Sequence, residues 1–150
     1  MSKLVYPLID LGITKTIAGL VFKKGSEFFL DNGELKVRIC DSGKEDRHIV
    51  YVHVADGKPV YVGESSHTFC NRMRLYIIHT GSTNVRVREF IKQQLAEGKK
   101  VETYYYKPAT ILIDGVLEIN PYNGIEQAII RFVGSELNRK DVAWSKAGGL

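Results

Sequence analysis

An alternation of valine and tyrosine in the stretch "HIVYVHVADGKPVYVG", residues 48–63, constrains the fold of this chain more than any other feature. Successive side chains of a β-strand point to opposite faces of its sheet, and Asp56-Gly57 is a typical hairpin turn. If the valines of both strands share the buried face, Tyr51 and Tyr61 share the opposite face, since a slip of one residue would turn a whole set over. The valines expected on the buried face are Val50, Val52, Val54, Val60 and Val62.

A shared face for Tyr51 and Tyr61 predicts a loop of odd length, either three residues from Ala55 to Gly57 or five. A plain two-residue Asp-Gly turn would put Tyr51 and Tyr61 on opposite faces. A pair of tyrosines on one face is also typical of ordinary cross-strand packing, which contributes roughly 0.2–1 kcal/mol.

The remaining pattern predicts a small α+β domain with a central, mainly antiparallel β-sheet flanked by helices. A first hairpin is expected over 26–39, about Asp31-Asn32-Gly33, and another over 110–119, about Asp114-Gly115. A strand is expected in "KVETYYYKP". Helices are expected at 68–79, at 84–97 with Gly98 as its stop, and from about Asn123.

Composition limits the class of protein. A chain of 150 residues is about the size of one domain, and no apolar run approaches the ~20 residues of a membrane span. The two cysteines, Cys40 and Cys70, are not in a CxxC motif, so we expect free thiols in a cytoplasmic protein. The net charge of +4 is compatible with nucleic acid but does not demonstrate it. The polar break at 41–48 predicts an N-terminal hairpin extension packed on the core (1–47), a core (48–138) and a tail (139–150).

Four elements occur in order along the chain: Ile49-Val50-Tyr51, Tyr61-Val62-Gly63, Arg72 with Tyr76 in "FCNRMRLY", and Glu126 in "NGIEQAIIRF". In this order they resemble the GIY-YIG nuclease family, closest in style to small type II restriction endonucleases and phage DNA endonucleases. The similarity spans roughly 48–133. The chain departs from the family at Ile49, which replaces the first glycine, and at Glu64, where many members carry a small or basic residue. The asparagine that many members have near the C-terminus has no assigned counterpart, and Asn138 is not assigned to it.

The resemblance implies hydrolysis of DNA phosphodiester bonds with one divalent metal ion, magnesium or manganese. It implies that Glu126 is the metal ligand, Arg72 meets the scissile phosphate, and Tyr51 is the general base. Ionising Tyr51 near pH 7 requires lowering its pKa by ~3 units, or about 4 kcal/mol of differential stabilisation. Tyr61 would hydrogen-bond the water or the phosphate, and Tyr76 lies one helical turn after Arg72.

Each assignment has a structural alternative. The position of Arg72 is also typical of an arginine on a solvated helix face, and that of Tyr76 is also typical of a residue in the hydrophobic core. Asn123-x-x-Glu126 is a capping-box pattern, in which the carboxylate satisfies the helix start instead of a metal.

Double-stranded DNA is the expected partner, with no membrane. Candidate backbone contacts are Lys58, Arg86, Arg88 and Lys92, although a solvated basic helix face would look the same. A homodimer on a symmetric site, as in restriction enzymes, would cut both strands, whereas a monomer would nick them in turn. The alternatives are a phage or mobile-element nicking endonuclease, a catalytically inactive DNA-binding protein of the same fold, and an unrelated interaction module.

Overall fold

The computed structural model describes residues 3–9 and 12–139 as an α+β fold with a mainly antiparallel, mixed sheet flanked by helices. The strands are Val5–Leu8 (β1), Thr14–Ile17 (β2), Leu20–Asp31 (β3), Glu34–Cys40 (β4), Ile49–Ala55 (β5), Lys58–Ser65 (β6), Val101–Tyr106 (β7), Ile111–Ile113 (β8) and Leu117–Ile119 (β9). The helices are Phe69–Ile78 (α1), Ser82–Ala96 (α2), Tyr122–Val133 (α3) and the short Glu136–Arg139 (α4).

The central sheet has the order β1-β4-β3-β7-β5-β6, with β2 paired to β3. Every pairing in it is antiparallel except that of β1 with β4. Because β3 pairs directly with β7, the predicted N-terminal extension contributes strands to the same sheet as the tyrosine hairpin. The division at residues 47 and 48 stays a prediction. Of the predicted tail, 140–150 lie outside the described residues.

Helices cover both faces of the central sheet, and a hydrophobic core lies between the sheet and the helices on each face. Helices α1 and α2 lie over one face, where Phe69, Met73 and Val87 pack with Tyr51. Helix α3 covers the other face, where Ile129 packs among the valines of β5. The tyrosine side of the hairpin is therefore as buried as the valine side, which alternation alone does not reveal.

The tyrosine hairpin confirms the shared face but not the predicted loop. The loop has two residues, Asp56 and Gly57, both with positive φ, as a type I′ turn requires. The register then shifts: Ala55 pairs with Lys58 and Val54 with Pro59, but His53 pairs with Tyr61, so Val60 is bulged out. The two turn residues and the bulged Val60 together make three residues, and they therefore have the same effect on the alternation of faces as the predicted three-residue loop. Val60 consequently packs against the tyrosine-side core, and its predicted place on the valine face is wrong.

The other local predictions are largely confirmed. The first hairpin turns at Asn32-Gly33, both at positive φ, and Thr68 caps α1 by accepting a bond from the Asn71 N–H (3.1 Å). The hairpin β8–β9 forms a sheet of its own about a three-residue turn that begins at Asp114. Both cysteines are free thiols. Within the described part of the chain, no helix has the length and apolarity to cross a membrane.

Candidate active site

The side chains of three tyrosines come together between the central sheet and α1. Tyr51 on β5 and Tyr76 on α1 are fully buried, and Tyr61 on β6 is only 6% exposed. The Tyr51 and Tyr76 hydroxyls share a short hydrogen bond, in which either can be the donor. His53 lies among them, with its ring centroid 5.0 to 5.8 Å from those of all three tyrosines. The predicted convergence of Tyr51, Tyr61 and Tyr76 is thus present.

Arg72 completes this cluster from α1. Its guanidinium lies 4.3 Å from the Tyr76 ring centroid, and Nη2 donates to the Tyr76 hydroxyl (3.2 Å). Nη1 donates to Oδ1 of Asn84 on α2 (2.9 Å), which orients the guanidinium plane. The charge of Arg72 and a side-chain hydrogen bond with Tyr51 also act on the Tyr51 hydroxyl. Arg72 is not a solvated helix arginine. Asn84 was missed, since an isolated asparagine near a helix start carries no signal of such a role.

The surroundings of the Tyr51 and Tyr76 hydroxyls keep both of them protonated. Burial raises the pKa of Tyr51 above its ordinary value, although the charge of Arg72 acts in the opposite sense. Burial, together with the neighbouring Tyr51, raises the pKa of Tyr76 further. Burial, with the Arg72 charge in second place, lowers the pKa of His53 to about 3, so this imidazole is neutral at ordinary pH. Its Nδ1 is 2.8 Å from the Thr103 hydroxyl.

Gly63 makes room for the Tyr51 hydroxyl. The two residues are opposite each other on neighbouring strands, and the Tyr51 ring lies across the glycine. A Cβ at position 63 would be 2.4 Å from both Cζ and the hydroxyl oxygen of Tyr51. The last glycine of "YVG" is therefore explained by a close side-chain approach, because its φ needs no glycine.

Two carboxylates lie within electrostatic reach of this cluster. Glu126 is in the second turn of α3, partly buried, and its charge contributes to raising the pKa of Tyr51. Glu64 follows Gly63 and is half-buried; burial raises its pKa while the Arg72 charge lowers it. The capping-box alternative for Glu126 is wrong, because α3 begins at Tyr122, before Asn123, and has no side-chain cap at its N-cap.

The donor set fits a hard divalent cation. Carboxylate oxygens are the ligands that magnesium and manganese prefer, and such ions keep several waters and take few protein ligands. Among residues 3–9 and 12–139, no group of three or more His, Cys, Asp or Glu could hold a metal, so a zinc-type site is not indicated there. The side chain of Gln127 donates a hydrogen bond to Oε1 of Glu126 (3.0 Å).

Asn138, which has no role assigned from the sequence, holds the strand that carries "YVG". It is buried, and its side-chain amide forms two bonds to the backbone of Val62, the middle residue of "YVG". Oδ1 accepts from the Val62 N–H (2.7 Å) and Nδ2 donates to the Val62 carbonyl (2.8 Å). The Ser135 hydroxyl also donates to Oδ1 (2.5 Å). Asn138 therefore fixes β6 on the side away from β5.

The basic residues predicted to contact DNA are mostly engaged within the protein. Arg86 donates to the Leu137 carbonyl (2.8 Å), tying α2 to α4. Arg88 donates to the carbonyls of residues 76, 77 and 79, at 2.9 to 3.2 Å, and so stabilises the end of the helix that carries Arg72. Lys92 lies 3.8 Å from Glu89 on the surface. Their contact with DNA stays a prediction.

Lys58 is exposed and begins β6 beside the turn, opposite Ala55, which is roughly 13 Å along β5 from Tyr51 at ~3.3 Å per residue. It is therefore remote from the cluster, and only a more distant part of a DNA backbone would reach it. Its predicted contact with DNA likewise stays a prediction.

No protein-family profile matches the chain, and no curated protein matches it. Among solved structures, the chain is similar to a mutant of EndoII from bacteriophage T4, with 21% sequence identity and a TM-score of 0.57 over 76% of this chain and 89% of that one. It also matches a restriction endonuclease in complex with product DNA, with 20% identity and a TM-score of 0.44 over 73% and 72% of the two chains. The second likeness is too distant to carry an argument. The chain therefore shares its fold with the phage EndoII protein over three-quarters of its length.

Proposed function

We propose that this protein is a DNA endonuclease that hydrolyses phosphodiester bonds with the help of one divalent metal ion, magnesium or manganese. The observation that carries the proposal is the convergence of Arg72 on the Tyr51–Tyr76 hydroxyl pair, with the Glu126 carboxylate within electrostatic reach of Tyr51. A cation to bind phosphate, hydroxyls to orient water and a carboxylate to hold a metal are the groups that phosphodiester hydrolysis needs. The shared fold with EndoII, a phage endonuclease, supports the same conclusion.

Arg72 would bind the scissile phosphate. Its guanidinium is fixed by Asn84 and lies against the Tyr76 ring, so little side-chain freedom is lost when a phosphate is bound. Partial burial also lowers the local dielectric, which strengthens the attraction between the guanidinium and the phosphoryl oxygens. Lysine would supply the charge at this position without the planar set of donors.

Tyr61 and Tyr51 would hold the attacking water. Tyr61 is slightly exposed, whereas Tyr51 is fully buried and its hydroxyl is bonded to that of Tyr76, so a water must enter the buried cluster to bond Tyr51. In the free protein burial keeps Tyr51 protonated, and a neutral phenol can still orient a water by hydrogen bonding. Service as a general base would require loss of that proton, which the Arg72 charge favours and burial opposes.

Glu126 would hold the metal ion, with substrate phosphate and water as the remaining ligands. The bound ion would supply positive charge that stabilises the phosphoryl oxygens. Glu64 is within electrostatic reach of Arg72, and its negative charge would favour a cation nearby.

Double-stranded DNA is the proposed substrate, cut at specific sites on both strands by a homodimer in the manner of a restriction enzyme. Successive nicking by one copy is the alternative within the same chemistry. A DNA-binding protein without catalysis is a second candidate function, which the complete burial of the Tyr51 hydroxyl favours.

The test is incubation of the purified chain with supercoiled plasmid and with phage DNA, in magnesium, manganese or chelator. We expect metal-dependent cleavage that is lost in Tyr51→Phe, Arg72→Ala and Glu126→Gln. Matched controls are Arg74→Ala, an exposed arginine on the same helix, and Glu89→Gln, an exposed glutamate on α2. Circular dichroism establishes that each variant is folded.

Each outcome bears on one part of the proposal. If the wild type binds DNA but never nicks it across metals and substrates, the protein is a binding protein and the nuclease proposal fails. Cleavage that persists in Glu126→Gln would remove Glu126 as the metal ligand. Discrete fragments would support site-specific cleavage, whereas a smear would refute it.

A further inference from the structure

The hairpin β8–β9 lies outside the central sheet and is entirely exposed. Its two strands pair only with each other, and all nine residues from 111 to 119 are exposed. A single two-stranded hairpin is at best marginally stable in water, because one pair of strands buries too little apolar surface. This segment is nevertheless rich in large apolar residues.

The cross-strand pairing sorts these residues onto two unlike faces. Ile111 lies opposite Ile119, and Ile113 lies opposite Leu117, so these four side chains share one face. The other face carries Leu112 opposite Glu118. We call the four-residue side the apolar face of the hairpin. Its members are 40 to 61% exposed, and Val116 at the tip is 85% exposed.

The size of this surface matches what a stable interface requires. At about 200 Å² for a fully exposed Ile or Leu, the apolar face and Val116 expose on the order of 500 Å² of apolar surface, which is the size of the largest apolar patches on monomers, and such patches are often functional. A standard interface buries ~800 Å² per partner, of which roughly 56–65% is apolar, or about 450–520 Å². One copy of the hairpin therefore offers about the apolar area that one side of such an interface uses.

The charges of the hairpin argue against nucleic acid or an anionic membrane as the occupant. No Lys or Arg occurs between Lys107 and Arg131, whereas Asp114 and Glu118 lie in the hairpin. Phosphate groups would meet no cation and two carboxylates. Contact with a second copy of the chain needs no cation and brings no phosphate to the carboxylates, because a twofold axis brings identical apolar faces together.

We propose that the protein forms a homodimer in which the apolar faces of two β8–β9 hairpins pack against each other, at the ~10 Å spacing of stacked sheets. The contact deepens the proposed function, because it would give one assembly two active sites for the two DNA strands. It does not depend on catalysis. The hairpin also precedes α3, the helix that carries Glu126, so the dimer would join the two sites through a short connection.

The experiment is sedimentation velocity of the full chain over roughly 1–100 µM, comparing Leu117→Thr with Leu112→Thr. These two leucines are 61% and 60% exposed on opposite faces of one hairpin, so each variant controls for the other. Threonine preserves net charge and strand propensity. We expect dimers of the wild type and of Leu112→Thr. In Leu117→Thr we expect the dimer Kd to rise about tenfold or more, since each dimer loses two buried leucines.

Three results would overturn the proposal: a monomeric wild type throughout the range, equal weakening by both variants, or an unweakened dimer of Leu117→Thr. Concentration-dependent protection of the amides of residues 111–119 against hydrogen exchange would support it, and protection independent of concentration would refute it. Binding to a labelled DNA duplex or to anionic vesicles by a monomer, lost in Leu117→Thr, would assign the face to that partner instead. A dimer without nuclease activity would refute the proposed function alone.

Discussion

Replacing Gly63 with alanine tests the central geometry of the site. The new Cβ would lie 2.4 Å from both Cζ and the hydroxyl oxygen of Tyr51, whereas ordinary contacts begin near 3.4 Å. The Tyr51 ring must therefore retreat by about 1 Å. It has little room to do so, since Tyr51 is fully buried and bonded to Tyr76. Strand β6 cannot move instead, because Asn138 holds both backbone polar groups of Val62.

The expected cost follows from these contacts. Overpacking of a filled core costs about 1–3 kcal/mol, and loss of the Tyr51–Tyr76 hydrogen bond adds about 1 kcal/mol. Gly63→Ala should thus lower the free energy of unfolding by about 2–4 kcal/mol. At ~2–4 °C per kcal/mol for a chain of this size, the Tm should fall by about 5–15 °C.

The assay is urea and thermal unfolding followed by circular dichroism, with Gly124→Ala as the matched control. An added Cβ on Gly124 in α3 meets nothing within 4 Å, so this variant should gain about 0.5–1 kcal/mol from reduced freedom of the unfolded chain. In a Tyr51→Val background, Gly63→Ala should cost little, because the clashing ring is gone. A Gly63→Ala protein within about 0.5 kcal/mol of wild type would refute the assigned close approach.

Three further predictions concern the residues around the cluster. Asn138→Ala should lower the free energy of unfolding by about 2–4 kcal/mol in urea titrations, because the buried N–H and carbonyl of Val62 lose their partner; an unchanged midpoint would contradict this. His53 has a folded pKa of about 3, below its ordinary 6.5, so the unfolded chain binds the extra proton and stability should fall by ~1.4 kcal/mol per pH unit below about pH 6.5. His53→Phe should remove that slope in pH-dependent unfolding, and the exposed-residue variant His67→Phe should keep it. Asn84→Ala should lower kcat for plasmid cleavage about tenfold with little change in DNA affinity, because Arg72 loses the bond that orients it; an equal loss in affinity would indicate a direct DNA contact instead.

Local pattern was sufficient for much of the fold. The turn signals at Asn32-Gly33 and Asp56-Gly57, which have positive φ in the structure, placed two hairpins, and helical periodicity placed α1. Local pattern was insufficient in the hairpin of Tyr51 and Tyr61, where one extra residue decides which face of the sheet the neighbouring side chains take. The bulge at Val60 leaves no mark in composition, because the two-residue turn and the bulge together mimic the three-residue loop that the face argument predicts.

The candidate site divides in the same way. Tyr51, Tyr61, Arg72 and Tyr76 were selected from their order in the chain, and the structure brings all four into one cluster. Asn84 and Asn138 were not selected, because each acts through a single long-range hydrogen-bond arrangement that has no sequence period. The arginines of α2 were selected for their charge, whereas the structure shows their guanidinium groups bonded to carbonyls at the ends of other helices.

The sequence by itself predicted that Tyr51 and Tyr61 share a face, because each alternates with valines, and the structure confirms this although Val60 leaves the valine face. Only the tertiary structure decided whether that face is buried or exposed to solvent. Helix α1 covers it, so burial outweighs the Arg72 charge and keeps the Tyr51 proton in place. Alternation is a property of neighbouring residues, whereas desolvation depends on what packs above them from elsewhere in the chain.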